Sequence, residues 1–563
     1  MNRRDSAIVL ALALLLVALV ASLAMPAATP AATPSPAPTP EPAAVFREGV
    51  VGLPSSPTPI SARTQADRDM VALVFRGLVR LGPGDSVLPD LAERWTMEEG
   101  GKSWTFVLRE DARWQDGQPV TSEDVAFTVN ALRAPGSTSP AAAAWRRVVA
   151  VPLDRRTVRF ELAASAAGFL DAALQPLLPA HLLGSVPVEA LPDDPFWRSP
   201  IGNGPFALVQ WDEHHAVLEP VTPLPPDLSR PFATLPPRQP AGAGTALLPR
   251  LELRFYATAA ELAAACRAGE VDSASGLPGA LAAELEGLHG ARLLRYPGTI
   301  LTSVVLNLRA KKHPAFDDPR ARRALLEVID RDAIVADTLA GAGRRADSPI
   351  PPASWAFDRT ASKKIAHDLV AAAADLKAAG WTQSGGRWTA PGEKVQFEVE
   401  LLAPDAASNP VARSIADEVA SAWKAFGLEV TIAELPPAQF VSRLRGGDFA
   451  AAVVDVNVGL DPDLYPLLAS SQARSGGSNV AGVQDAAVDK ALKAAREPGS
   501  TKERKASMAA LQKILVERLP MLPLVFRDHL YLVPDALQGP VPRPVADASG
   551  RFWDVLTWRL ADR

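Results

Sequence analysis

With 563 residues, 48% of them hydrophobic and 21% charged, the chain can bury large cores, build several domains or two large lobes, and is not disordered. A net charge of -5 without a long Lys/Arg run argues against a nucleic-acid surface, which needs a clustered basic patch. The single cysteine, Cys266, excludes an intrachain disulfide, and its Ala-rich surroundings read as a helix holding a small, partly buried apolar residue.

The N-terminus opens with Arg3 and Arg4 before an uncharged stretch, residues 7–25. As a helix this stretch spans about 28 Å, close to the hydrocarbon core of a bilayer, and the two arginines favour a cytoplasmic N-terminus with the bulk exported. It is read as an uncleaved anchor, while "ASLA" leaves cleavage as a signal peptide open. The proline-rich residues 26–44 that follow form an extended tether, reaching up to about 60 Å.

Beyond residue 45, strands and helices mix. "WTFVLRE" (104–110) and "VRFEL" (158–162) alternate like strands. Between them, Thr121 reads as an N-cap with Asp124 completing a capping box, Val120 and Val125 as a hydrophobic staple, and Val125, Val129 and Leu132 as one apolar helical face. "GPFALVQWDEHHAVLEPV" (204–221) reads as two strands around a polar turn. The proline-rich 220–249 is taken as a surface excursion, because strand-like "LELRFY" resumes at once.

Further on, Asp318 and Pro319 suit N-cap and N1 of a helix with an Ala321, Ala324, Leu325, Val328 stripe that runs on toward a stop at Gly341. Asn409 and Pro410 repeat that grammar, with Gly427 as the stop and alternating "LEVTIAEL" and buried "FAAAVVDV" as strands. Helices alternating with strands predict an α/β architecture.

Catalytic motifs are missing: there is no G-x-S-x-G, H-E-x-x-H, P-loop or complete G-x-G-x-x-G. His214 and His215 are adjacent on a strand-like stretch and point to opposite faces, which suits a turn and not a shared metal. "DVNVGLDPDLYP" (455–466) is acidic but lacks calcium-loop spacing. No metal, cofactor or enzymatic activity is expected.

One long stretch says more. Residues 73–132 carry Leu88-Pro89-Asp90-Leu91-Ala92, Trp95, Leu108-Arg109, Trp114, Asp116-Gly117 and Pro119 through Val125. This resembles the signature region of bacterial extracellular solute-binding proteins of family 5, the peptide- and nickel-type binding components of ABC importers. "IGNGPFALVQW" is similar to the family's "vGTGPY" strand, with Asn203 for Thr and Phe206 for Tyr. "RAGEVD" (267–272), "NLRAKKHPAFDDPRARRALLEVIDR", "GGDFAAAVVDV", "DPDLYP", "GGSNVAGVQDAAVDKAL" and "LPMLPLVF" resemble later family segments, so the likeness runs over roughly 45–563.

The resemblance implies an α/β, periplasmic-binding-protein type 2-like fold: two lobes joined by a hinge, with an extra subdomain on the first lobe. The expected division is 1–25 signal or anchor helix, 26–44 linker, 45–72 with 200–298 and 525–563 the first-lobe core, 73–199 the extra subdomain, and 299–524 the second lobe. The capped helix at 121–132 is then scaffold. It implies a monomeric, extracytoplasmic binding protein that delivers a ligand, an oligopeptide by expectation, to an ABC permease, held at the membrane by its N-terminal segment. A sensor ectodomain or peptide-holding chaperone is the alternative. At the places where dipeptide-binding members carry a cleft Arg and a cleft Asp, this chain has Ala406 and Val458. The residues expected to meet ligand are Asp455, Asn457, Asp461, Arg344, Arg345 and Trp355.

Overall fold

Alternating burial along Arg250–Tyr256, and runs of consecutive buried residues in Val45–Val51 and Ala451–Asn457, suit strands with helices packed on their faces. The computed structural model describes residues 45–561, apart from 83–85, 136, 138, 140, 167, 222–247, 249, 310–312, 475 and 498. One eleven-stranded sheet runs in the order Glu429–Leu435, Glu398–Pro404, Ala451–Asn457, Ala291–Leu306, Leu522–Pro534, Ser273–Ser275, Val45–Val51, Arg250–Tyr256, His215–Pro220, Phe206–Trp211, with Gly343–Arg345 added beside Leu522–Pro534.

The two long strands at the centre of that order, Ala291–Leu306 and Leu522–Pro534, pair antiparallel and cross between two halves. Each half has its own core. In the first, Phe46, Val50, Leu251 and Leu253 pack with Phe106, Leu132 and Phe160. In the second, the sheet is covered on both faces, with Val304, Leu306, Val453 and Leu524 toward one core and Leu301, Val305, Val454 and Phe526 toward the other. A separate four-stranded sheet, in the order Ala92–Glu98, Ser103–Leu108, Thr157–Leu162, Val148–Pro152, shares the first half's core.

Local signals place most elements. Thr121 caps Ser122–Arg133 with the expected Asp124 box, and Val120 and Val125 are buried. Asp318 and Pro319 start a helix, but it ends at Glu327. The continuous helix expected from the periodicity gives way to a short turn at Arg331–Ala333, recapped by Asp330, and a wide turn at Ile334–Thr338. The break follows from Arg331, which is buried and donates to the carbonyls of Ala346 at 2.5 Å and Pro523 at 3.2 Å. An unbroken helix would place that guanidinium by helical phase alone, and a buried charge needs those acceptors.

Glu327 ends the first of these helices with Oε2 buried and unpartnered. Burial, with Asp375 and Asp368 close by, pushes its carboxyl up to about 7 from 4.5, against the pull of Arg323. Between those values the folded state holds a proton that the unfolded chain has released, so stability from this group is full below about pH 4.5 and is lost as pH rises through 7. Glu327→Gln should lie within about 1 kcal/mol of wild type at pH 5 and be more stable by up to about 3 kcal/mol at pH 8. Urea titration at the two pH values checks this.

The apolar residues 7–25, the linker 26–44 and nearly all of the excursion 220–249 lie outside the described residues. Among the described residues no helix is long and apolar enough to cross a membrane.

Candidate functional site

In the first half Val45–Val51 runs parallel to Arg250–Tyr256 and to Ser273–Ser275, and in the second Glu398–Pro404 runs parallel to Glu429–Leu435 and Ala451–Asn457. The register against the crossing strands orients both sets: Ser275 pairs with Tyr531 and Asn457 with Ile300. The carboxyl ends of both parallel sets therefore point at the same stretch of crossing strand. Open α/β sheets take ligands outside those carboxyl ends.

The strand Ala451–Asn457 shows how this floor forms. Ala451 and Val453 face a core, and two residues further along the same face become Asp455 and Asn457. Asp455 Oδ1 accepts from Thr302 Oγ1 at 2.6 Å, and Oδ2 from Asn409 Nδ2 at 2.7 Å and from Arg527 Nη2. Asn409 is the cap of helix Pro410–Ala425, so the carboxylate also sits near the positive end of a helix. Asn457 Oδ1 accepts from Thr299 Oγ1 at 2.7 Å, while its Nδ2 donates across to the Ala546 carbonyl at 2.8 Å. Arg527 Nε and His529 Nε2, two residues apart on the crossing strand, are buried without a partner. Burial pushes the His529 imidazole down to about 4, with Asp547 pulling the other way, so the ring is neutral near pH 7.

Of the other expected residues, Asp461 is gripped by Arg504 Nη2 through both oxygens, at 2.9 and 2.7 Å, and the Arg504 guanidinium lies 4.5 Å over the Trp355 ring. Asp461 and Trp355 thus meet through an arginine that sequence reasoning missed. Arg344 pairs with Asp528 at 3.2 Å, on the sheet face opposite Arg527. Arg345 is held by Asp347 at 2.9 Å and Asp332 at 2.8 Å. The six residues do not form one cluster: Asp455 and Asn457 share the floor, Asp461 and Trp355 flank it, and the arginines form separate ion pairs. Asn409 had been recognisable as a cap, but nothing in its spacing tied it to Asp455, and Arg527 stands beside Asp528 and His529 in the middle of a strand with nothing local to mark its partner.

Where dipeptide binders place charges, Ala406 donates its N–H to Glu434 Oε1 at 3.1 Å and Val458 is buried with its N–H on the Thr299 carbonyl at 3.2 Å. Among the described residues no group of three or more His, Cys, Asp or Glu side chains is arranged to hold a metal ion. His214 and His215 line an open surface concavity of about 510 Å3 with Glu252, Arg254, Phe255, Tyr256 and Glu261, on the outer edge of the first half's sheet and away from the crossing strands.

The model of the bacterial extracellular solute-binding proteins, family 5, matches residues 86–478, more than half of the chain. The chain belongs to this family. Protein XP55 of Streptomyces lividans is 28% identical over 506 residues, covering 87% of this chain and 85% of that protein. The oligopeptide-binding protein AppA of Bacillus subtilis is 23% identical over 520 residues, 91% of each chain. Among solved structures, NikZ from Campylobacter jejuni in complex with Ni(L-His) superposes with a TM-score of 0.72 at 23% identity, over 92% of this chain and 100% of that one. AppA from Bacillus subtilis with a nonapeptide gives 0.71 at 22% identity, over 92% and 99%.

The fold of this family-5 protein is accordingly that of the type 2 periplasmic binding proteins, here with a separate four-stranded sheet that shares the first half's core. It is a substrate-binding protein of the peptide- and nickel-type ABC importer family, whose members work outside the cytoplasm with a membrane permease as partner.

Proposed function

We propose that this protein captures an oligopeptide between its lobes by hinge closure and delivers it to an ABC permease, tethered by residues 7–25 and the proline-rich linker. In this reading 45–72, 200–298 and 525–563 form the first lobe, 73–199 its added subdomain and 299–524 the second lobe. The observation that carries it is the charge state of the cleft floor. The ionised side chains expected to meet ligand are committed to partners within the protein: Asp455 to Arg527, Asp461 to Arg504, Arg344 to Asp528 and Arg345 to Asp347. Of the expected polar residues this leaves Asn457, uncharged and exposed at the strand end, which suits the repeating amides of a peptide better than two free charged ends. The Bacillus subtilis relative named for oligopeptides, with a nonapeptide in its solved structure, supports the same reading.

Thermal unfolding of the chain against an alanine nonapeptide, an end-capped peptide, dialanine and a Ni(L-His) chelate tests it. A ligand at 100 times its Kd adds about 2.7 kcal/mol, a readable rise in Tm. The nonapeptide and the capped peptide should raise Tm and dialanine should not. A rise with dialanine or the nickel chelate alone would replace the oligopeptide assignment.

A further inference from the structure

Among the described residues, a hydrogen bond also joins the added subdomain to the second lobe. On the subdomain side, the short helix Phe169–Ala172 is fixed by Phe169, whose ring packs against Trp104, Phe106, Trp145 and Phe160. Asp171 is carried on this anchored turn. On the other side the loop after Asn457 brings the Asp461 N–H to Asp171 Oδ2 at 3.3 Å. Gly168 makes room for the approach: a Cβ added there would stand 3.1 Å from Asp461 Oδ2.

The loop is held in shape by its own lobe. Ser354 Oγ donates to the Leu460 carbonyl at 2.8 Å, Arg504 grips both Asp461 oxygens, and Trp355 backs the guanidinium. A loop fixed in this way loses little further freedom when the lobes meet. Arg504 also offsets the repulsion that two carboxylates, Asp171 and Asp461, would otherwise bring to the contact.

We propose that Asp171 and the Arg504-held Asp461 loop form a latch between the subdomain and the second lobe, which holds a closed population before ligand arrives and slows ligand release afterwards. The inference rests on the hinge-closure reading above and extends it: the latch acts on any ligand the cleft accepts, because neither of its two groups needs to touch one.

Single-molecule energy transfer on the full chain, without ligand, tests it. Met97→Cys and Val370→Cys carry the dyes, at exposed sites on the two halves, while Cys266 is buried with its thiol pushed up to about 11 by burial and stays unlabelled. The otherwise unmutated chain should show an open and a closed distance. Asp171→Ala should shorten the closed dwell time about tenfold, and Asp171→Asn, which keeps a neutral acceptor, about threefold, with the urea midpoint unchanged in both. Equal dwell times in the Asp171→Ala and parent chains, no closed population in the parent, or a midpoint that falls in step with the dwell time overturns the latch. A distance that moves on adding the alanine nonapeptide but not with Asp171→Ala removes the latch alone. One fixed distance under every condition removes hinge closure and the latch with it.

Discussion

Arg551→Met is expected to destabilise the protein by about 3–5 kcal/mol, the usual result of removing one partner from a buried ion pair. Arg551 is buried between Glu48 and Asp69, which are themselves fully buried. It donates to Asp69 at 2.9 and 2.6 Å and through Nε to Glu48 at 2.8 Å, and its guanidinium lies 4.0 Å over the Phe552 ring. Burial pushes the Glu48 carboxyl up, Arg551 draws it down, and the Tyr531 hydroxyl donates to its second oxygen at 2.9 Å. Without the guanidinium, two carboxylates remain in the interior with no countercharge. The triple variant Glu48→Gln, Asp69→Asn, Arg551→Met should therefore be more stable than Arg551→Met alone. Urea unfolding of both decides it, and a single variant as stable as the parent would show that the triad carries no net stabilisation.

Gly298→Val is expected to cost about 1–3 kcal/mol and also to change the motion of the lobes. The ladder between the crossing strands breaks at this glycine: Tyr296 pairs with His529, and the next pair is Ile300 with Arg527. Three residues, Pro297–Thr299, stand here against Asp528 alone and bulge toward the C-terminal segment, where the Val545 N–H donates to the Pro297 carbonyl at 2.9 Å. A Cβ at 298 would stand 2.2 Å from the Arg527 carbonyl oxygen and 3.2 Å from the His529 ring. The first of these is backbone and cannot swing aside, so the strands must part. The urea midpoint should fall, and the energy-transfer pair described above should report altered open and closed distances. An unchanged midpoint with unchanged distances would mean that the crossing strands tolerate the wedge and do not hinge here.

Much of the scaffold was legible because its signals are local. Thr121 with Asp124, Asp318 with Pro319 and Asn409 with Pro410 each settle a helix start within a few residues, and the Gly427 stop follows from its positive φ of 103°. The helix expected to run on past Val328 was misread for a non-local reason: Arg331 bonds the carbonyl of Pro523, 192 positions away, and no periodicity in the helix encodes that acceptor.

The candidate site divides along the same line. Asp455 and Asn457 stood out as polar residues ending an apolar strand, and their shared face follows from strand alternation alone. Their partners did not stand out. Arg527 is 72 positions from Asp455, Arg504 is 43 from Asp461, and Asp171 is 290 from the Asp461 N–H it accepts from. Arg344 and Arg345, expected to meet ligand, are each paired with carboxylates of the protein.

By itself, then, the sequence determined the family, the α/β class and the capped helices, since side-chain pattern and neighbouring residues suffice for these. Only the tertiary structure decided which charges remain available to a ligand. A carboxylate's partner is whichever cation the folded chain brings within hydrogen-bond reach, and for Glu48 that cation is Arg551, 503 positions away.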